Sequence, residues 1–288
     1  MGLQSLTSVR ALVAGPKLKL QSLAVGAVLV VTTSLSLLFA GEAAAGAPPK
    51  PGEQWTIPNL ELALAPIPAG TFAMGSPEAE KGRDPGEGPQ TKVTFTKGFW
   101  LGATEVTQKQ WESLMEGNPS QFKKDDNPVE KISWSEAVAY CEKLTSREKA
   151  AGRLPAGYVY ALPTEAQWEY ACRAGSTGEF YGKLADIGWY FKNTEGLTTK
   201  PVAQKQANAW GLFDTHGNVW EWCADCYGKY PGGAVTDPKS AATGLLRVAR
   251  GGGWGDSPTD CRAAFRVGYK PEMRGNSIGF RVALRPAP

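Results

Sequence analysis

The chain has 288 residues, enough for one large domain or two small ones, and a formal net charge of +3 at pH 7. A charge this small gives no electrostatic case for binding nucleic acid or an anionic membrane surface. His216 is the single histidine, which excludes sites that need two, such as the iron site of two His and one carboxylate. We expect this lone histidine at a turn or on the surface.

The amino-terminal segment, 1–45, has the pattern of a signal peptide. A positive flank with Arg10, Lys17 and Lys19 precedes an uncharged apolar run over 23–40, and a short Ala-rich stretch then suits cleavage. We therefore expect this segment to be removed and the remainder to lie outside the cytoplasm, in the periplasm or secreted. The alternative is an uncleaved membrane anchor, because the run is just long enough to span a bilayer. Any membrane contact is expected through this segment alone.

A Pro-rich stretch over 46–56 comes next and is expected to be a short, stiff linker. Residues 57–286 contain no second break in composition and no internal repeat, so we expect them to form one domain. Alternating residues predict strands over 92–96 and 246–249. The 34 Gly, 21 Pro and 10 Trp are typical of irregular segments held by aromatic side chains over a small core. The predicted fold class is α+β, in a single loop-rich domain with few long elements.

Three helix starts are marked by a hydroxyl residue three positions before Glu or Gln, at Thr107, Ser133 and Thr164. In such a capping box the hydroxyl accepts from the amide of the third residue, whose own side chain reaches back to the first amide. Apolar residues recur at helical spacing after the second and third boxes. The pattern predicts three helices, over 108–117, 134–149 and 165–174.

Four sequence motifs stand out in the domain. Leu162-Pro163-Thr164-Glu165-Ala166-Gln167-Trp168-Glu169-Tyr170-Ala171 is followed by Gly217-Asn218-Val219-Trp220-Glu221-Trp222, Arg250-Gly251-Gly252-Gly253-Trp254 and Gly279-Phe280-Arg281. In this order and spacing they resemble the formylglycine-generating enzyme family, also called the sulfatase-modifying factor domain. The resemblance covers almost all of the domain and implies the family's fold, a compact, loop-rich relative of the C-type lectin fold. A fold alone does not fix a function.

A calcium site is expected at Asp214, Gly217, Val219 and Glu221. Two carboxylates and, if the segment is extended, two backbone carbonyls would supply hard oxygen ligands, with water completing the shell. These four positions match the family's calcium site, and a motif in its expected context favours the metal. The alternative from the residues alone is that Asp214 caps a turn while Glu221 pairs with an arginine such as Arg250.

The resemblance does not extend to the family's copper site. The oxidases of the family hold copper with two close cysteines, and alignment on the Gly-Phe-Arg motif places those positions at Gly253 and Pro258. The segment 250–266 contains a single cysteine, Cys261. Copper(I) favours soft thiolate ligands, usually in pairs. We therefore expect the domain to lack the oxidase site, and copper is not an expected cofactor.

The remaining cysteines give weaker signals. Cys223 and Cys226 have the Cys-x-x-Cys spacing of redox and zinc sites. The signal is weak, because the pair follows a probable strand instead of opening a helix, and residues three apart on a strand face opposite sides. The blocks that contain Cys223 and Cys261 often occur together in non-oxidase relatives, so the resemblance favours a disulfide between them, although spacing alone cannot fix connectivity. Cys141 and Cys172 lie on apolar faces of predicted helices and are expected to pack in the core. They could instead bridge each other.

The resemblance also implies a substrate groove lined by residues between the Gly-Gly motif and the Gly-Phe-Arg motif. Trp, Tyr and Arg are favoured anchors for ligands, and the candidates are Trp254, Arg266, Tyr269 and Arg274. Arg266 could equally form a buried structural ion pair. We expect an exported, calcium-stabilised binding or accessory module for a peptide, a protein or a glycan. The alternative is a formylglycine-generating oxidase that converts a sulfatase cysteine to formylglycine.

Overall fold

The computed structural model describes residues 48–195, 197–239 and 243–287. The predicted signal peptide, 1–45, and the first two residues of the predicted linker lie outside the described residues. Within the described ranges, no helix combines the length and the apolar character needed to cross a membrane.

The described part of the chain contains twelve strands, five short or medium α-helices and two 3₁₀ turns. The strands are β1 (Trp55–Ile57), β2 (Leu62–Ile67), β3 (Gly70–Met74), β4 (Thr91–Phe95), β5 (Phe99–Gly102), β6 (Tyr158–Ala161), β7 (Trp220–Cys226), β8 (Ala234–Thr236), β9 (Arg247–Arg250), β10 (Arg266–Tyr269), β11 (Ile278–Gly279) and β12 (Ala283–Pro286). The helices are α1 (Gln108–Glu112), α2 (Trp134–Ala150), α3 (Glu165–Arg173), α4 (Leu184–Ile187) and α5 (Phe191–Thr194), and the 3₁₀ turns span Pro85–Glu87 and Pro258–Cys261.

The strands form three sheets. The largest has the order β1-β2-β5-β12-β6 and is antiparallel throughout. A four-stranded sheet, β10-β9-β7-β11, is antiparallel except between β7 and β11, and a three-stranded sheet has the order β3-β4-β8. This mixture of short helices and small sheets confirms the predicted α+β, loop-rich fold class.

All three predicted capping boxes form. Thr107, Ser133 and Thr164 each accept a hydrogen bond from the third residue's amide, and the Glu or Gln side chain accepts one from the cap's amide. The first helix ends at Glu112, earlier than predicted, and Ser113 is its cap. The chain then turns, because the amide of Leu114 bonds the carbonyl three residues back instead of four. The strand predicted over 92–96 forms one residue earlier, as β4, and the strand predicted over 246–249 forms one residue later, as β9.

The predicted linker is shorter than expected. Trp55 and Thr56 already belong to β1, where they pair with Leu64 and Ala63 of β2. The half-buried Trp55 side chain also packs against the main core. Strand pairing and apolar burial therefore draw the end of the Pro-rich stretch into the domain.

The main core lies between α2 and the sheets. Three rings, Trp111, Tyr140 and Phe280, meet with centroids 5.3–6.2 Å apart. Cys141 is buried in this core, and Cys172 is buried in a smaller cluster with Trp168. The packing role that we predicted for both cysteines is confirmed, and both are free thiols.

Candidate functional site

The approach to β7 requires glycine at one position. Gly217 has a φ of +136°, and a Cβ added there would lie 2.1 Å from the carbonyl oxygen of Trp189. Asn218 follows with a φ of +63°, so the segment is not extended before Trp220, contrary to the geometry assumed for the calcium site. The left-handed turn instead directs the Asn218 side chain to Glu105, whose Oε2 accepts from Nδ2 at 2.7 Å.

The carboxylate of Glu221 is held by Arg281. The guanidinium Nε and Nη2 lie 2.6 and 2.7 Å from the two carboxylate oxygens, and Trp168 Nε1 donates to Oε2 at 2.7 Å. Both charged side chains are fully buried. Charge-assisted bidentate pairs of this kind are short and strong. An arginine therefore does pair with Glu221, but it is Arg281 and not Arg250.

Glu105 is a third buried carboxylate in this cluster, and the sequence motifs did not point to it. It accepts from Asn218 Nδ2 and from the amide of Val219 at 3.0 Å. Burial, together with the negative charges of Asp214 and Glu221, raises the pKa of Glu105 well above its usual value. In the sequence, Glu105 lies only two residues before the capping residue Thr107 of α1, which does not by itself indicate a buried carboxylate.

Asp214 has one oxygen without a partner. Its Oδ2 accepts from the amide of Ala203 at 2.7 Å, whereas Oδ1 is buried with no hydrogen bond. Burial raises the pKa of Asp214 to about 6. The cluster therefore contains three buried carboxylates, of Glu105, Asp214 and Glu221, but only one guanidinium, that of Arg281. This excess of negative charge, with the unpartnered Oδ1 of Asp214, suits a hard cation such as calcium. Among the described residues, no three His, Cys, Asp or Glu side chains meet as a metal-binding group, so such a cation would also need backbone carbonyls or water.

The segment that would carry a copper site contains one buried thiol. Cys261 ends the 3₁₀ turn Pro258–Cys261 and is fully buried. Its sulfur lies so close to Gly252 that a Cβ added there would be 2.6 Å away. Burial raises the pKa of the Cys261 thiol well above its usual value. A thiol in this environment is neither nucleophilic nor a ready metal ligand.

The predicted disulfide between Cys223 and Cys261 is not formed, because all five cysteines are buried free thiols. Cys223 projects from β7 into the small cluster that contains Trp168 and Cys172. Cys261 packs against Gly252 instead. The two thiols therefore serve as apolar packing groups.

His216 lies in a turn, which is one of the two expected places, but it is fully buried and does not reach the surface. Its Nδ1 lies 2.8 Å from the carbonyl oxygen of Cys261, and the rings of Phe180 and Tyr181 are 5.3 and 4.9 Å away. Burial lowers the pKa of His216 to about 4, which keeps the ring neutral at pH 7. Nε2 lies 3.7 Å from the Cys172 sulfur, but burial raises the pKa of that thiol to about 12. The pair lacks the thiolate that a Cys-His nucleophile requires.

Of the four predicted groove residues, Arg266 does not reach the surface. It is buried and forms two 2.6 Å hydrogen bonds to the carboxylate of Glu165. The rings of Tyr227 and Tyr230 lie 4.3 and 4.2 Å from its guanidinium carbon. With its charge paired and its faces covered, Arg266 is a structural residue. Its predicted place in the groove was wrong, and the alternative of a buried ion pair is confirmed.

The other groove candidates remain accessible. Trp254 and Tyr269 are half-buried, and Arg274 is exposed in an ion pair with Glu136 at 2.5 Å. The structure adds Phe122, whose ring meets that of Trp254 edge to face at 5.3 Å. Phe122 carries no sequence signal because it lies far from Trp254 along the chain.

These side chains define an aromatic surface, made of Phe122, Trp254, Phe265 and Tyr269, all half-buried. The buried Trp220 contacts two of these residues, because its ring lies 6.0 Å from Phe265 and 6.4 Å from Tyr269. Its Nε1 also donates to Asp256 at 2.7 Å, and the same carboxylate oxygen accepts from the amide of Gly253 at 2.8 Å. Burial raises the pKa of Asp256.

Comparison with known proteins confirms the family resemblance that the sequence motifs indicated. Residues 59–286 match the family model for the sulfatase-modifying factor enzyme 1-like domain. The chain is 29% identical over 234 residues to the chaperone protein LppX of Paenibacillus barcinonensis, covering 64% of this chain and 79% of that protein. It is 27% identical over 297 residues to the formylglycine-generating enzyme of Mus musculus, covering 78% and 76%. The structure of PvdO from Pseudomonas aeruginosa superimposes with a TM-score of 0.72 at 29% identity, over 82% of this chain and 99% of that one. The chain therefore belongs to the sulfatase-modifying factor enzyme 1-like family.

Proposed function

We propose that this protein is an exported binding or accessory module that does not carry out the copper-dependent oxidation of cysteine. The observation that carries the proposal is the single thiol of segment 250–266. Cys261 is buried, with its pKa raised well above the usual value by that burial. Copper(I) in an oxidase site needs accessible, paired thiolates. The name of one relative, a chaperone protein, supports the view that the family also contains proteins known by other roles.

The aromatic surface is the proposed contact for a peptide, a protein or a glycan. Trp254 is fixed in place, because its amide donates to the Asn218 carbonyl at 2.8 Å and its Nε1 to the Asn276 carbonyl at 3.1 Å. Thr194 donates to the Trp254 carbonyl at 2.6 Å. An aromatic anchor that is already ordered loses little conformational entropy when a ligand binds.

Calcium is proposed as a stabilising ion in this module. Asp214, with its unpartnered Oδ1, would be the main side-chain ligand. The carboxylate of Glu221 and the carbonyls of Gly217 and Val219 are the other proposed ligands, and the carbonyls would act from the turn at Gly217 and Asn218 instead of from an extended strand. Glu221 would contribute less than Asp214, since Arg281 and Trp168 already bond both of its oxygens. The ion would neutralise the excess of buried carboxylates.

The absence of oxidase chemistry is tested with a copper(I) titration of the reduced protein and an assay of formylglycine formation in a sulfatase-type peptide. We expect neither stoichiometric copper(I) binding nor conversion. Tight binding of one copper ion per chain that is lost in Cys261→Ser, together with conversion, would establish the oxidase instead. That alternative is motivated by the similarity to the mouse formylglycine-generating enzyme.

The binding role is tested on peptide and glycan arrays probed with the full chain. We expect Trp254→Ala to weaken capture of any ligand by at least about tenfold, as for a central aromatic anchor. Leu245→Ala is the control, because Leu245 is 90% exposed and lies outside the aromatic surface. Equal capture by both variants would show that ligands bind elsewhere, and no capture at all by the unaltered chain would argue against the module.

A further inference from the structure

A separate cavity of about 850 Å³ lies between α2, β6 and the end of β12. Its lining includes none of the residues of the aromatic surface or of the carboxylate cluster. The volume falls in the range of pockets that hold small molecules. The function proposed above does not use this cavity, and binding of a ligand there would be independent of that function.

The cavity walls are mostly apolar. Trp134 and Val138 of α2 line it together with Val159 and Leu162. Most of the polar side chains that line it lie towards the rim, among them the exposed Lys97. A ligand that fills this space would have to bring apolar surface, since the burial of such surface is the main gain available there.

The edge of β6 inside the cavity is not free to pair with a peptide strand. Thr145 of α2 donates its hydroxyl to the carbonyl of Tyr160 at 3.1 Å and accepts from the amide of the same residue at 2.9 Å. Both backbone groups at this edge position are therefore already satisfied. A non-peptide occupant fits better than an added strand.

Arg285 is the unusual group in the lining. Among the described residues its side chain makes one hydrogen bond, from Nε to the carbonyl of Leu162 at 3.1 Å, and no carboxylate there lies within 4.0 Å of it. The carboxylates of Glu142 and Asp237, which also line the cavity, form no ion pair with it. Burial lowers the pKa of Arg285, because a cation is poorly solvated there, and the negative charge of Asp225 offsets this only in part.

The fully buried arginines of the described chain show what the half-buried Arg285 lacks. Each of them forms an ion pair with a glutamate. These arginines are Arg173, Arg250, Arg262, Arg266 and Arg281. The partly buried guanidinium of Arg285 has no carboxylate partner among the described residues. An anion brought into the cavity by a ligand would supply it.

We propose that the cavity binds a molecule with an apolar chain and one carboxylate, of the fatty-acid class, whose carboxylate pairs with the Arg285 guanidinium. The guanidinium fork matches a carboxylate in geometry and charge. The hydrocarbon chain lies against the walls formed by α2 and β6. No bond is made or broken, and the ligand is bound as it is.

The probe is dodecanoate below its critical micelle concentration, titrated calorimetrically into the full chain, with dodecanol as the neutral analogue. We expect one dodecanoate per chain, and binding of dodecanol weaker by at least about tenfold, because it lacks the charge. Arg285→Gln, which keeps a donor for the Leu162 carbonyl, should lose at least about tenfold of the dodecanoate affinity. Arg285→Lys keeps the charge but not the fork, so it should restore only part of the affinity.

Lys97→Gln is the matched control, since it removes an exposed cation from the rim and should change affinity by less than about twofold. Circular dichroism and thermal unfolding establish that each variant is folded. Should Arg285→Gln not fold, Val138→Glu, which places an anion on the wall, is expected to abolish dodecanoate binding. The proposal is overturned if dodecanoate does not bind, if dodecanol binds equally well, or if folded Arg285→Gln keeps its affinity.

Discussion

The Glu221–Arg281 pair links the family motif at β7 to the Gly-Phe-Arg motif that precedes β12. Besides its two bonds to the carboxylate, Arg281 donates to the carbonyls of Gly102 and Phe213, both at 2.9 Å. Its guanidinium thus connects several segments of the core. Arg281 is a buried structural group and not a contact for a ligand.

Replacing Arg281 by Met should lower the free energy of unfolding by about 3–5 kcal/mol, because Glu221 is left buried without its countercharge. Arg274→Met is the control, since the Arg274–Glu136 pair is largely accessible, with side chains 49% and 32% exposed. Its loss should change the same quantity by less than about 1 kcal/mol. Urea unfolding followed by fluorescence measures both, and similar losses in the two variants would contradict the prediction.

His216 makes the stability depend on pH. The unfolded chain takes up a proton on this side chain below pH 6.5, whereas the folded pKa is about 4. The free energy of unfolding should therefore fall as the pH decreases from about 6.5 to about 4, by roughly 3 kcal/mol at most. Asp214, whose folded pKa is raised to about 6, acts in the opposite direction.

The contribution of His216 is isolated by comparison with His216→Asn, whose side-chain amide can still donate to the Cys261 carbonyl. Urea unfolding of both proteins between pH 4 and pH 7 gives the difference in unfolding free energy. We expect this difference to diminish towards low pH. A difference that is constant across the range would mean that the histidine does not titrate differently in the two states.

At the scale of the element, α3 is a buried helix that carries charge. All of its residues are buried, and three of them are ionised partners: Glu165 pairs with Arg266, and Glu169 pairs with both Arg173 and Arg250. The helix is therefore tied to β9 and β10 through ion pairs as well as apolar contacts. The charged residues of the motif at 162–171 thus have a structural role in the core.

The capping boxes are local devices, and this is why their positions could be predicted from sequence. In α2, the Ser133 hydroxyl accepts from the Glu136 amide at 3.3 Å and donates to its carboxylate at 2.8 Å. Ser133→Ala should lower the free energy of unfolding by about 1 kcal/mol. Ser135→Ala, at an exposed position inside the same helix, should change it by less than about 0.5 kcal/mol. Equal effects in thermal unfolding would contradict the capping role.

The ends of elements and the fates of single side chains could not be predicted in the same way. The start of α1 depends on Thr107 and Gln110, whereas its end depends on how the next segment turns. Arg266 and His216 are buried by residues that are distant in sequence, such as Glu165 and Phe180. A single sequence contains no direct record of such contacts, so ligand anchors and structural ion pairs look alike in it.

At the scale of the whole molecule, the carboxylate cluster makes stability depend on calcium if the proposed site is occupied. Calcium at about 100 times its dissociation constant should raise the free energy of unfolding by about 2.7 kcal/mol. Asp214→Ala should remove this calcium-dependent gain, and Asp125→Ala, at an exposed position, should keep it. Thermal unfolding with calcium and with chelator is the measurement, and an equal response of all three proteins would count against the site.

The position of β12 has a consequence for the order in which the protein can fold. This strand lies between β5 and β6, which come much earlier in the chain. Neither β5 nor β6 can pair with β12 through a short local turn. The largest sheet is therefore incomplete until Ala283–Pro286 has joined it. Because closing such long loops is entropically unfavourable, sheets of this kind form slowly. Folding of this domain should therefore be limited by its carboxyl-terminal strand and not by its well-marked helices.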